Sequence, residues 1–233
     1  MIEIVSKPEA AVMSELTLYI GNKNYSSWSL RAWLALKHVG TPFKEVVIPL
    51  ESGGTPTAAI RQHSPSGKVP ALRYGEMVVW DSLAIGEYLA EEFHQARLWP
   101  TERVARAFAR SASAEMHSGF ANLRSQLPMN VRRTPFALKL TPEVATDVAR
   151  IVAIWGEARR RFGAGGPYLF GRFSLADAMF APVATRFRTY GVPMDEVASA
   201  YVATIHDHPA MREWVAEVKA EPWAIESYDQ IGR

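Results

Sequence analysis

The 233-residue chain has no cysteine. That absence excludes disulfides, thiolate metal sites and any mechanism with a protein thiol as nucleophile, so sulfur chemistry here would have to use a ligand's sulfur. No apolar run approaches the roughly 18 residues that a membrane-spanning helix needs. Residues 1–15 mix Glu3, Lys7, Pro8 and Glu9 into the apolar positions, too polar for a secretory leader, and the expected compartment is the cytoplasm. Net charge is small as well: 26 Lys and Arg against 24 Asp and Glu leave +2. Arg132-Arg133 and Arg159-Arg160-Arg161 are too short to form a nucleic-acid surface, so solvated helix or loop is expected there. No internal repeat recurs. His206-x-His208 lacks a third ligand and sits at a helix start, so no metal is expected. What remains, 48% hydrophobic and 21% charged residues, is enough to bury a core in two modest domains or one large one.

The chain changes character near its middle. Residues 16–22 read as a buried strand, 28–39 as a helix ended by Gly40 and Pro42, and 43–50 as a second strand. A short helix at most fits 56–62. Residues 71–74 and 77–80 form a hairpin about Gly75-Glu76, and 81–93 is a closing helix. After 95–100 strand signals almost vanish. A long helix is expected over 101–127, a second from Thr141-Pro142 to about Phe162, and a third from Ser174, where Ser174-x-x-Asp177 is a capping box. Pro182 interrupts that third helix, and a last one runs from His208-Pro209 to Ala220.

Two motifs suggest ligand chemistry. Pro70 heads a short β-run yet cannot donate to a ladder, and an X-Pro bond is where a cis peptide costs little. With Val69-Pro70 cis, the Val69 amide and carbonyl would face outward to pair with the backbone of a bound peptide. Asp81-Ser82 then opens an amphipathic helix, so free amides and the positive helix end lie where a carboxylate could bind.

Gly67-Lys68-Val69-Pro70-Ala71-Leu72, then Asp81-Ser82-Leu83-Ala84-Ile85-x-Glu87-Tyr88-Leu89, then Ser174-x-x-Asp177, in that order, resemble a cytosolic glutathione S-transferase from Leu16 to about Trp223. The resemblance implies an α/β N-terminal thioredoxin-like domain (βαβαββα) at 16–94 after an extension at 1–15. A linker at 95–100 and an all-α domain at 101–233 would follow. It implies glutathione as co-substrate. Val69 and Pro70 would hold its cysteinyl backbone, Ser82 its γ-glutamyl carboxylate, Asp81 its ammonium, and Lys68 with His63 its glycyl end.

The activating residue is expected in Asn24-Tyr25-Ser26-Ser27-Trp28-Ser29-Leu30-Arg31, which resembles the zeta-like pattern Ser-Ser-Cys-x-Trp-x-x-Arg. Counted back from Arg31, Asn24 stands at the family's serine position and Ser26 at its cysteine position. Asn24, Ser26 and Ser27 are all candidates. Ser26 is preferred because it lies near the helix start, whereas Asn24 is expected to be exposed between Lys23 and Tyr25. The electrophile pocket is expected from Tyr25, Trp28, Met116, His117, Phe120 and Arg124, although an aromatic and Met face is more often core than pocket. The implied activity is conjugation of the glutathione thiolate to a small hydrophobic electrophile, in a detoxifying homodimer. Isomerisation of the maleylacetoacetate type and glutathione binding without turnover are the alternatives.

Overall fold

A computed structural model describes residues 15–50 and 57–232; the expected extension therefore lies, apart from Glu15, outside the described residues. The first unit runs β1 (Leu16–Ile20), α1 (Ser27–Val39), β2 (Lys44–Val47), α2 (Thr57–Arg61), β3 (Ala71–Tyr74), β4 (Met77–Val79) and α3 (Ser82–Glu92). Its sheet has the order β2-β1-β3-β4, with β1 and β2 parallel and the other pairs antiparallel. Period-2 alternation decides which side chain goes to which face. Leu16, Leu18 and Ile20 enter the main core with Leu72, whereas Tyr19 joins Ile48, Ile60 and Ala71 on the opposite face. The fold is that of a thioredoxin-like sheet domain followed by a helical domain.

The second unit contains α4 (Arg103–Ser118), α5 (Ala121–Gln126), α6 (Pro142–Phe162), α7 (Leu175–Thr189), α8 (Glu196–Asp207), α9 (Pro209–Val218) and the short α10 (Glu226–Asp229). The helix expected over 101–127 is in fact two. Gly119 caps α4, and Phe120 takes a left-handed conformation at φ 60°, which turns the chain before α5 starts. Its ring is buried in the core, which holds this otherwise disfavoured backbone in place. The α8 helix was not distinguished in the sequence pattern, and α1 begins one residue earlier than expected, at Ser27.

α7 is the axis of the molecule, buried on nearly every side and packed against α1, α4 and α8. Helix α7 continues through Pro182, whose missing N–H leaves the carbonyl of Ala178 without its helical donor. Close approach of α3 to the start of α7 requires glycine: a Cβ on Gly86 would lie 2.4 Å from Leu175 Cδ2.

Candidate functional site

Where the two units meet, a cavity of about 550 Å³ opens between the start of α1, the Gly67-Lys68-Val69 turn, Pro128-Met129, Arg186 of α7 and the C-terminal Ile225 and Tyr228. Its size is in the ordinary range for small-molecule sites. The lining includes Tyr25, Ser26, Ser27, Trp28, Lys68, Val69 and Arg124, and it holds three cationic side chains but no Asp or Glu.

The loop before α1 is held from several directions. Asn22 exchanges hydrogen bonds with both backbone groups of Leu50. Lys23 is buried, its ammonium 5.1 Å from the ring centres of Trp33 and Trp214 and paired with Glu45 and Glu217. Glu221 receives the amides of Lys23 and Asn24 at 2.5 and 2.9 Å. Asn24 is therefore not exposed. Its side chain donates to Asn130 at 3.1 Å and accepts from the amide of Arg132 at 2.8 Å, so both ends are engaged in tying the loop to residues 130–132.

Ser26 is the N-cap of α1. Its Oγ accepts from the amide of Ser29 at 3.4 Å and lies 2.7 Å from Ser29 Oγ, which itself accepts from the amide of Gly21 at 3.0 Å. If Ser29 Oγ donates across the pair, the Ser26 proton is left for the cavity. The Ser27 hydroxyl makes no hydrogen bond among the described residues. Tyr25 points its hydroxyl at Asp229, 3.1 Å away. The guanidinium groups of Arg31 and Arg124 lie over the Trp28 ring at 4.5 and 4.8 Å.

Val69-Pro70 is cis, and the β1–β3 register ends at the Tyr19–Ala71 pair, so Val69 lies beyond the ladder. At the start of α3, Asp81 caps the amide of Leu83 at 3.0 Å and meets His117 Nε2 at 2.9 Å. Ser82 is fully buried, and its Oγ has no hydrogen-bond partner among the described residues. Pro70, Asp81, Ser82 and His63 are not on the cavity wall. His63 stacks on Tyr19 with ring centres 4.3 Å apart. Met116 and Phe120 are in the core rather than the pocket, and His117 spends itself on Asp81 and the edge of Trp28.

Sequence reasoning missed Arg186, Met129, Ile225 and Tyr228. Only Arg186 carried a signal, as a charge inside the apolar run of α7. Elsewhere, His208 Nδ1 caps α9, and burial pushes His206 down to about 4, so the two act inside the fold. Among the described residues no group of three or more His, Asp or Glu is gathered for a metal.

Comparison with known proteins adds lineage to this geometry. Residues 25–92 match the family model for the glutathione S-transferase N-terminal domain, and 141–217 the model for its C-terminal domain. Glutathione S-transferase L3 of Arabidopsis thaliana is 24% identical over 200 residues, covering 85% of this chain and 77% of that one. A probable maleylacetoacetate isomerase of Caenorhabditis elegans is 33% identical over 108 residues, 46% of this chain and 49% of that one. The theta-class glutathione S-transferase of Xanthomonas axonopodis pv. citri, solved with glutathione bound, superposes with a TM-score of 0.64 at 26% identity, covering 87% of this chain and 98% of that one. With both halves of the family pattern matched in order on one chain, this protein belongs to the glutathione S-transferase family.

Proposed function

We propose that this protein conjugates the thiolate of glutathione to a small electrophile. The observation that carries the reading is the cavity itself: one helix start with a capping serine and three cationic side chains, and no carboxylate, facing a space of about 550 Å³. Such a site favours an anion, and a thiolate is the anion the reaction needs. A free thiol has a pKa near ~8.5, so only a few per cent is ionised at pH 7. Lowering that value by ~2 units needs about 2.7 kcal/mol, the scale of one or two hydrogen bonds to a charged acceptor plus a helix N-terminus.

In this reading Ser26 donates to the sulfur, and the Val69 backbone beyond the β3 ladder pairs with the cysteinyl unit. Lys68 meets the glycyl carboxylate. The buried, unpartnered Ser82 Oγ at the start of α3 supports a γ-glutamyl carboxylate there, because a buried hydroxyl without a partner is costly. Asp81 supplies an exposed carboxylate beside it for the ligand's ammonium. Ser82→Ala is expected to weaken glutathione binding by about 1.5 to 3 kcal/mol while leaving folding nearly unchanged. Titration calorimetry on the two proteins measures this, and equal affinities would remove the carboxylate from Ser82.

A second reading, glutathione-dependent cis-trans isomerisation, is favoured by the local match to the isomerase and by the likeness of the loop to the zeta-like pattern Ser-Ser-Cys-x-Trp-x-x-Arg, while Asn24 and Ser26 at its serine and cysteine positions weigh against it. Isomerisation of a maleyl keto acid with no net consumption of glutathione would select it. A cytoplasmic, detoxifying role accompanies either reading on family grounds, and cell fractionation tests the compartment. Among the described residues no helix is long and apolar enough to cross a membrane.

A further inference from the structure

One face of α9 and its continuation grips the two residues that stand just before Tyr25 and Ser26. Trp214, Glu217 and Glu221 fall at i, i+3 and i+7, and the amides of Lys219, Ala220 and Glu221 bond to carbonyls three residues back, which carries the helical turn on past Val218. Trp214 Nε1 donates to the Lys23 carbonyl at 3.0 Å, Glu217 pairs with the Lys23 ammonium, and Glu221 accepts the amides of Lys23 and Asn24 at 2.5 and 2.9 Å. The backbone of Glu221 is itself held, because Arg132 donates to the carbonyls of Glu221 and Trp223, both at 2.6 Å. Glu221 is not on the cavity wall and so does not touch a ligand held there.

Those two amides have no other acceptor close by. Within the loop, the Asn22 carbonyl already takes the amides of Tyr25 and Ser26 at 3.2 and 2.9 Å, and the Ser26 hydroxyl caps α1. Lys23 is 4% exposed and Asn24 is fully buried, so loss of the Glu221 carboxylate leaves two buried donors unmet. The loop would have to turn them towards water, and Ser26, two residues on, would move with them. A displacement of about 1 Å at a reacting group costs up to about 100-fold. The carboxylate carries the wrong charge to help a thiolate directly, since one anion disfavours another nearby. Its contribution to such a site is therefore placement.

We propose that Glu221 is a positioning residue for the thiol chemistry: its carboxylate fixes the backbone from which Ser26 presents its hydroxyl to the glutathione sulfur. This rests on the transferase reading above, with Ser26 as the donor. The same segment goes on to line the cavity with Ile225 and Tyr228, so one stretch of chain holds the donor and one wall of the pocket together.

The test follows the thiolate absorbance of bound glutathione against pH in Glu221→Gln and Glu221→Ala. Glu221→Gln keeps the shape and one acceptor but removes the charge. Loss of charge alone would move its titration down, whereas loss of placement moves it up towards free glutathione. An upward displacement is expected in both variants and is larger in Glu221→Ala. There kcat/KM at pH 6.5 is expected to fall about tenfold, and the loss to shrink near about pH 9.5, where the free thiol is already ionised. Affinity for S-methylglutathione, which has no thiol to orient, is expected to stay at the wild-type value. Ser26→Ala combined with Glu221→Ala is expected to be no slower than Ser26→Ala alone, since one residue acts through the other. A titration that stays or moves down in Glu221→Gln, losses that multiply in the double variant, or weakened S-methylglutathione binding overturns the inference. A displaced titration in Ser26→Ala with none in the Glu221 variants sinks this inference alone. Wild-type protein that binds no glutathione, or an unmoved titration in Ser26→Ala, sinks the reading beneath it as well.

Discussion

The Asp177 carboxylate is completely buried and accepts four hydrogen bonds: from the amide of Leu169 at 3.1 Å, the Tyr201 hydroxyl at 3.1 Å, and the amide and hydroxyl of Ser174 at 2.8 and 2.9 Å. Burial outweighs those donors and pushes the group up from its ordinary 3.8 to about 6. The folded state then binds the proton more tightly than the unfolded chain, so Asp177 adds stability that is complete below pH 3.8 and is lost as pH rises through 6. That gap corresponds to about 3 kcal/mol. Asp177→Ala, which leaves buried donors at Leu169 and Ser174 unmet, is expected to cost about 2 to 4 kcal/mol at pH 7 and more at pH 4. Denaturant unfolding of both proteins at the two pH values checks it, and a smaller loss at pH 4 would contradict the sign. Sequence alone read Asp177 as half of a capping box, which it is. It could not reveal Leu169 and Tyr201 as further donors, because both arrive from other elements. The same limit misplaced Asn24, since a polar run such as Lys23-Asn24-Tyr25 looks solvated until α9 and residues 130–132 are packed over it.

At the level of elements, periodicity and caps made most of the molecule legible. The order βαβαββα, the hairpin at Gly75-Glu76, and Pro142 at the first turn of α6 all follow from local chemistry that tertiary contacts reinforce. The break between α4 and α5 did not follow. Gly119 is tolerable inside a helix at a cost near ~1 kcal/mol, so the pattern alone favoured continuity, and only the burial of Phe120 in a left-handed turn decides otherwise. Likewise the pattern sets no separate helix over α8, whose start is marked only by the capping Asp195. The pocket suffered most from this. With α4 ending at Ser118, Met116 turns inward to the core and only Arg124, from α5, reaches the cavity wall.

The whole molecule places its candidate cavity at the seam between sheet and helical units, with Ile225 and Tyr228 from near the end of the chain closing one side. We expect a homodimer. The family resemblance supports it, and a twofold pair is the commonest closed assembly. Sedimentation at micromolar concentration is expected to give about twice the 25.9 kDa of one chain, and a single species of chain mass would refute it. The central claim is that a capping hydroxyl and helix start turn glutathione's thiol into a thiolate. Its most direct test is the thiolate absorbance of bound glutathione followed against pH in the wild-type, Ser26→Ala, Ser27→Ala and Asn24→Ala proteins. Ser26→Ala is expected to return the titration toward that of free glutathione, near ~8.5, and to lower kcat/KM at pH 6.5 by about 10- to 100-fold, with smaller changes in the other two. An unmoved titration in Ser26→Ala beside a displaced one in Ser27→Ala or Asn24→Ala would contradict it.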